Sequence, residues 1–178
     1  LDRIAGFRPD ILGVTAMTHE VARAAEIAAA ARRRIPALKT VIGGPHATAL
    51  PVETLREFSA FDFAVFGEGE ETLADLCGAI EEGGAGGDIP GLAFRGAGGE
   101  ARANPARPWM EDIDRLPFPA WDMYGPSREY QIFSSRGCPY RCSFCMRVLG
   151  DRVRYRSVEG VVREFEWLVR PWRPAEIS

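Results

Sequence analysis

Long apolar runs are missing. Nothing in the 178 residues approaches the roughly 18 to 20 that span a bilayer, and the start lacks the basic-then-apolar order of an export signal. No membrane span is expected, and the expected compartment is the cytoplasm. An excess of one charge is missing too: 22 Lys and Arg face 25 Asp and Glu, a formal net charge of -3, which gives no reason to expect nucleic acid or an anionic membrane as a partner. Cysteine is sparse and unevenly spread. Cys77 stands alone in a helical pattern, whereas Cys138, Cys142 and Cys145 crowd into one loop, and such clustering without an export signal favours a metal or cluster site over a disulfide framework. An initiator methionine is absent and Ser178 falls where an apolar strand begins, so a piece of a longer protein is expected. What is present is a composition in the globular range, enough for one ordinary core or two small ones.

Along the chain, Asp10-Ile-Leu-Gly-Val14 is a short apolar run suited to a buried parallel strand. Residues Glu20 to Arg34 then place Val21, Ala24, Ala28 and Ala31 at helical spacing. Lys39 to Gly43 repeats the strand signal, Pro51 to Phe58 reads as a short helix opened by proline, and Phe61 to Phe66 is a third strand. The next helix runs from Glu70 to Glu82, with Leu73, Leu76, Cys77 and Ile80 expected on one face. Alternating strands and helices argue for an α/β fold with a parallel sheet covered on both faces. From Gly83 to Gly87 no helix can persist, which marks an edge between a first section, 1–82, and a connecting section, 83–128. In that connection Leu92 to Arg95 and Glu100 to Ala103 suggest a hairpin, and Pro105 to Pro119 an extended linker. A further strand–loop–helix unit fills 129–178, with a strand near Tyr130 to Ser134 and an amphipathic helix from Ser157 to Val169, capped by Ser157, whose apolar residues are Val158, Val161, Val162, Phe165 and Leu168.

Arg136-Gly-Cys-Pro-Tyr-Arg-Cys-Ser-Phe-Cys145 puts three soft donors in one short loop, a set that suits iron–sulfur or zinc. Structural zinc takes four protein ligands, and the loop offers three. A four-iron cluster held by three cysteines keeps one iron open to another ligand. A zinc knuckle completed by Cys77 or a histidine, or three unrelated thiols, is the bland alternative. The spacing, with an aromatic just before the last cysteine, resembles the CxxxCxΦC motif of the radical S-adenosylmethionine (SAM) superfamily. That resemblance implies a [4Fe-4S] cluster on Cys138, Cys142 and Cys145, SAM chelated to the open iron, Phe144 near its adenine, and an electron donor such as flavodoxin or ferredoxin.

Thr15-Ala-Met17 ends the first strand and Gly43-Gly44 the second, and ligands in parallel sheets bind beyond the carboxyl ends of strands, where glycine lets a bulky group approach the backbone. Gly67-Glu-Gly-Glu70 follows the third strand. The order and content of these segments resemble the cobalamin (B12)-binding domain that precedes the radical SAM core in one branch of that superfamily. The resemblance implies a Rossmann-like domain, here N-terminally truncated, with Thr15, Met17, Gly43, Gly44, Glu68, Gly69 and Glu70 toward cobalamin, followed by the start of a (β/α) partial barrel. The plain reading of the acids is a tight turn that favours the next helix N-terminus. The family's cobalt-ligating histidine would lie before Leu1, so His46 reads as a loop residue near the ligand, and His19 as one that caps or precedes a helix. Leu116-Pro-Phe-Pro-Ala-Trp-Asp122 resembles the family's interdomain linker. Arg154, Tyr155 and Arg156 receive no catalytic role, since a solvated face or a phosphate contact would look the same.

By resemblance the activity is methylation of an unactivated carbon or phosphorus of a small-molecule substrate. The alternatives are a cobalamin-dependent cyclase or oxidase, or a non-catalytic cobalamin or metal-binding module.

Overall fold

The computed structural model describes residues 1–84 and 86–178, so Ala85, inside the glycine-rich segment, lies outside the described residues. The chain divides into two compact units, Leu1–Pro108 and Trp109–Ser178.

In the first unit a short helix, α1 (Asp2–Phe7), precedes strand β1 (Ile11–Thr15) and helix α2 (Val21–Arg34). Strand β2 (Lys39–Gly43), helices α3 (Gly44–Ala49) and α4 (Pro51–Glu57), strand β3 (Phe63–Val65) and helix α5 (Glu70–Glu81) follow. The unit closes with a hairpin, β4 (Leu92–Arg95) and β5 (Ala101–Ala103). The strands form one sheet in the order β1-β2-β3-β4-β5. The first three are parallel and the hairpin adds antiparallel to β3, Phe63 opposite Phe94. The edge expected after Glu82 is therefore a break in the helix and not in the sheet, because β4 rejoins the strand that α5 left.

Both faces of the sheet are covered. On one, Ala24, Ala25 and Ala28 of α2 pack with Ile42, Ala47, Leu55 and Phe61; on the other, Leu76 of α5 packs with Val41, Phe63, Val65, Leu92 and Phe94. Alanine spacing lets α2 lie close to the sheet, and the fully buried Ile42, Leu55 and Phe61 each contribute about 2 kcal/mol of transfer free energy. Helix α5 departs from its expected face: Leu73 is exposed, while Thr72 is buried with its hydroxyl donating to Pro90 O at 2.8 Å. A hydroxyl wins the inward position because a carbonyl there can accept its proton.

The second unit opens with extended chain broken by a 3₁₀ turn at Ile113–Arg115 and a single turn, α6 (Trp121–Tyr124). Strand β6 (Glu129–Tyr130) pairs parallel with β9 (Glu176–Ile177), and between them come β7 (Ser135–Arg136), β8 (Arg154–Tyr155) and helix α7 (Val158–Trp172). Ser157 caps α7 as expected, its Oγ accepting from Gly160 N at 3.0 Å. Arg173, at φ 43°, ends the helix in the left-handed region. The apolar stripe of α7 does not face inward throughout. Val158, Val162 and Phe165 are exposed, whereas Gly160, Glu164 and Leu168 are buried. Among the described residues no helix is long and apolar enough to cross a membrane.

Candidate functional site

Parallel pairing brings the carboxyl ends of β1, β2 and β3 to one edge, with Thr15 opposite Gly43 in register. The connections that leave this edge are stitched together. Ala16 N donates to Gly43 O at 3.4 Å and His46 N to Ala16 O at 3.2 Å; Gly67 N donates to Thr48 Oγ1, also at 3.2 Å. Gly44 is required by this packing: at φ +88° a methyl group on it would stand 2.3 Å from Thr15 Oγ1. Gly43 differs, since a methyl group there would meet only Val65 O at 3.8 Å. Thr15 and Met17 are exposed at the rim and Gly69 is half-buried, with Glu70 exposed in the first turn of α5. Glu68 is buried and engaged within the protein. The structure thus gathers Thr15, Gly43 and Gly44, with the Gly67–Glu70 turn on the neighbouring strand.

His46 is not a loop residue. It lies in α3, which starts at once because Gly43 forms the N-cap and Pro45 is pre-set for a first turn. The ring is buried, Nδ1 3.2 Å from Thr18 Oγ1. His19 is exposed beside Glu20, just before α2. Thr18 and Thr48, which tie the rim loops together, were missed by sequence reasoning. The available signal was a hydroxyl residue a few positions after each strand end.

The second candidate is the loop from Cys138 to Gly150, whose stem is the β7–β8 pairing of Arg136 with Arg154. All three cysteines are exposed, and Phe144 is 90% exposed. At the stem, Cys138 N donates to Gly150 O at 3.3 Å, and Gly137, at φ +93°, passes so close to Arg152 that a methyl group would lie 1.9 Å from its carbonyl oxygen. Arg147 N lies 3.4 Å from Cys145 Sγ, a backbone donor already turned toward sulfur. Among the described residues no three His, Cys, Asp or Glu side chains converge tightly enough to hold a metal ion. The loop carries its donors exposed and closed at the stem, without drawing them into a ligand set. Three thiols with amide donors nearby fit an iron–sulfur cluster better than zinc, which lacks a fourth ligand here.

Two features around the stem were not foreseen. Arg154 and Arg156 are not a solvated face. Arg154 is 5% exposed and donates to Leu149 O and Met110 O, both at 2.6 Å. Arg156 pairs with the buried Glu164 and lies 3.6 Å from Asp114, while Trp121 Nε1 donates to Glu164 at 3.0 Å. Two donors on one carboxylate compensate its burial. Asp114 in turn accepts from Ser157 N at 2.7 Å. The Ser157 hydroxyl and N–H, with the Arg156 guanidinium beyond them, hold the Asp114 carboxyl below its ordinary value of 3.8.

Residues 1–77 match the B12 binding domain family. An uncharacterized methyltransferase of Pyrococcus horikoshii is 37% identical over 175 residues, which cover 93% of this chain and 38% of that protein. The anaerobic magnesium-protoporphyrin IX monomethyl ester cyclase of Rubrivivax gelatinosus is 34% identical, covering 95% and 33%. Among solved structures, the radical S-adenosylmethionine methyltransferase TsrM from Kitasatospora setae, with tryptophan substrate and a SAM analog bound, superposes with a TM-score of 0.71 at 25% identity, covering 94% of this chain and 37% of TsrM. The chain spans little more than a third of the length of these relatives.

Proposed function

The chain belongs to the cobalamin (B12)-binding-domain radical SAM family, and from that premise we propose that the full-length protein cleaves SAM reductively and methylates an unactivated carbon or phosphorus of a small molecule. The observation that carries this reading is the coincidence in one chain of a B12-type strand-end rim with a closed loop bearing three exposed thiols.

In this reading residues 1–82, whose sheet the β4–β5 hairpin completes, form the cobalamin domain, 83–128 carry that hairpin and the connection, and 129–178 start the radical SAM core. Cys138, Cys142 and Cys145 hold the [4Fe-4S] cluster and Phe144 lies by the SAM adenine. Thr15, Met17, Gly43, Gly44, Glu68, Gly69 and Glu70 line the cobalamin side. When bound, the cluster would supply an electron for reductive cleavage of SAM, and cobalamin would serve as the methyl carrier. The chain's own contribution is positional. The open edge at Gly43 leaves room for a bulky group close to backbone, and the closed stem keeps the three thiols within one short loop. An electron donor of the flavodoxin or ferredoxin type and a cytoplasmic setting belong to the same reading.

A second reading, ring formation without methyl transfer, draws on the similarity to the cyclase of Rubrivivax gelatinosus. Turnover of the full-length protein with SAM labelled in its S-methyl group separates the two. Label from the SAM methyl group in the product is the expected result; 5′-deoxyadenosine formed with no label in any product would overturn the methyltransferase reading.

A further inference from the structure

The cysteine loop does not end on itself. Gly150, which accepts from Cys138 N, has φ +94°, and a methyl group there would stand 3.4 Å from the ring of Trp109. The indole thus lies in van der Waals range of the Gly150 backbone and walls that side of the stem. The Arg154 guanidinium lies 5.7 Å from the centroid of the same ring and spans two strands of chain, donating to Leu149 O inside the loop and to Met110 O next to Trp109. Arg152, where the loop leaves, pairs with Glu111. The stem is therefore clasped by residues some forty positions earlier in the sequence. This clasp has an indole as its wall and a two-pronged guanidinium as its pin.

The geometry points to Arg154 and Trp109 as positioning residues of the cluster loop, acting on the cluster through the backbone of Leu149 and Gly150. This rests on the reading of Cys138, Cys142 and Cys145 as cluster ligands. A planar guanidinium can serve both carbonyls at once, and an ammonium cannot do so with the same geometry. Loss of the clasp leaves the three thiols in place but frees the stem that sets where Cys138 starts, so the bound cluster is held less firmly. Neither side chain touches the reacting atoms.

The test uses the full-length protein, reconstituted anaerobically. Iron release to a chelator is followed in Arg154→Lys, Trp109→Leu, Trp109→Phe and the control Leu168→Val, which trims a fully buried side chain of α7 in the same unit. Reduced-cluster electron paramagnetic resonance with and without SAM is recorded alongside. The clasp predicts release faster by about tenfold in Arg154→Lys and Trp109→Leu, the size usual for lost outer-sphere support of a metal site. It also predicts an altered SAM-dependent line shape in both, near wild-type behaviour in Trp109→Phe, and no change in Leu168→Val. If Arg154→Lys does not fold, the contrast between Trp109→Leu and Trp109→Phe decides. Wild-type release and line shape in folded Arg154→Lys and Trp109→Leu would overturn the positioning role. Equal acceleration in Leu168→Val would overturn it also, since that marks a general loss of stability. A wild-type protein that takes up no iron would instead overturn the cysteine reading, and the clasp with it.

Discussion

At the scale of single residues, two adjacent glycines carry different duties. Gly44 has a positive φ and no room for a methyl group against Thr15, whereas Gly43 is extended, at φ -132°, with space around it. Gly44→Ala is expected to destabilise the first unit by about 1–3 kcal/mol, the range for a side chain forced into a strained backbone region. Gly43→Ala is expected to cost under about 1 kcal/mol in folding, since its methyl group would meet only Val65 O at 3.8 Å, and, if the proposed cobalamin side is correct, to weaken cobalamin binding. Denaturant unfolding and cobalamin titration of both variants check this, and equal folding costs would contradict it. The glycine pair was legible in the sequence as a pair. Which member the packing requires was not, because that depends on Thr15 of a neighbouring strand.

At the scale of elements, helix periodicity located α2, α5 and α7 and gave the buried face of α2, but it misjudged inward positions in α5 and α7. In α7 the inward position went to Glu164, because Arg156 and Trp121 both donate to its carboxylate. Periodicity ranks carboxylates outward and has no knowledge of donors from other segments. The same network ties the start of α7 to the 3₁₀ turn through Asp114. Its carboxyl is held below its ordinary value by the Ser157 hydroxyl and N–H. The unfolded state titrates at the higher value, so this contribution is complete above about pH 4 and is lost as pH falls through the lower, native value. Asp114→Asn is expected to flatten that acid branch of the stability curve and leave neutral-pH slopes unchanged. Urea midpoints measured between pH 2 and 6 check it; an unchanged acid branch in the variant would contradict the assignment.

At the scale of the whole molecule, the α/β class, the parallel strands and the strand-end rim were all legible, because strand runs and the glycines after them are local signals. The division of the chain was less so. Local composition put an edge after Glu82, yet the hairpin completes the first sheet and the division falls between Pro108 and Trp109. Pairing between Phe63 and Phe94 is a long-range contact that no local glycine count reports. The same limit hid the clasp on the cysteine loop, whose halves are Trp109 and Arg154. Motif spacing points to the three thiols, whereas the clasp depends on contacts between residues some forty positions apart.

In the proposed function, Cys138, Cys142 and Cys145 hold a cluster with one open iron. The most direct measurement is electron paramagnetic resonance of the anaerobically reconstituted, dithionite-reduced full-length protein, with and without SAM, beside Cys142→Ala. A reduced four-iron signal that SAM perturbs, and that Cys142→Ala lacks, is the predicted result. A folded protein that binds stoichiometric zinc and no iron, or whose signal survives in Cys142→Ala unchanged, would contradict the claim.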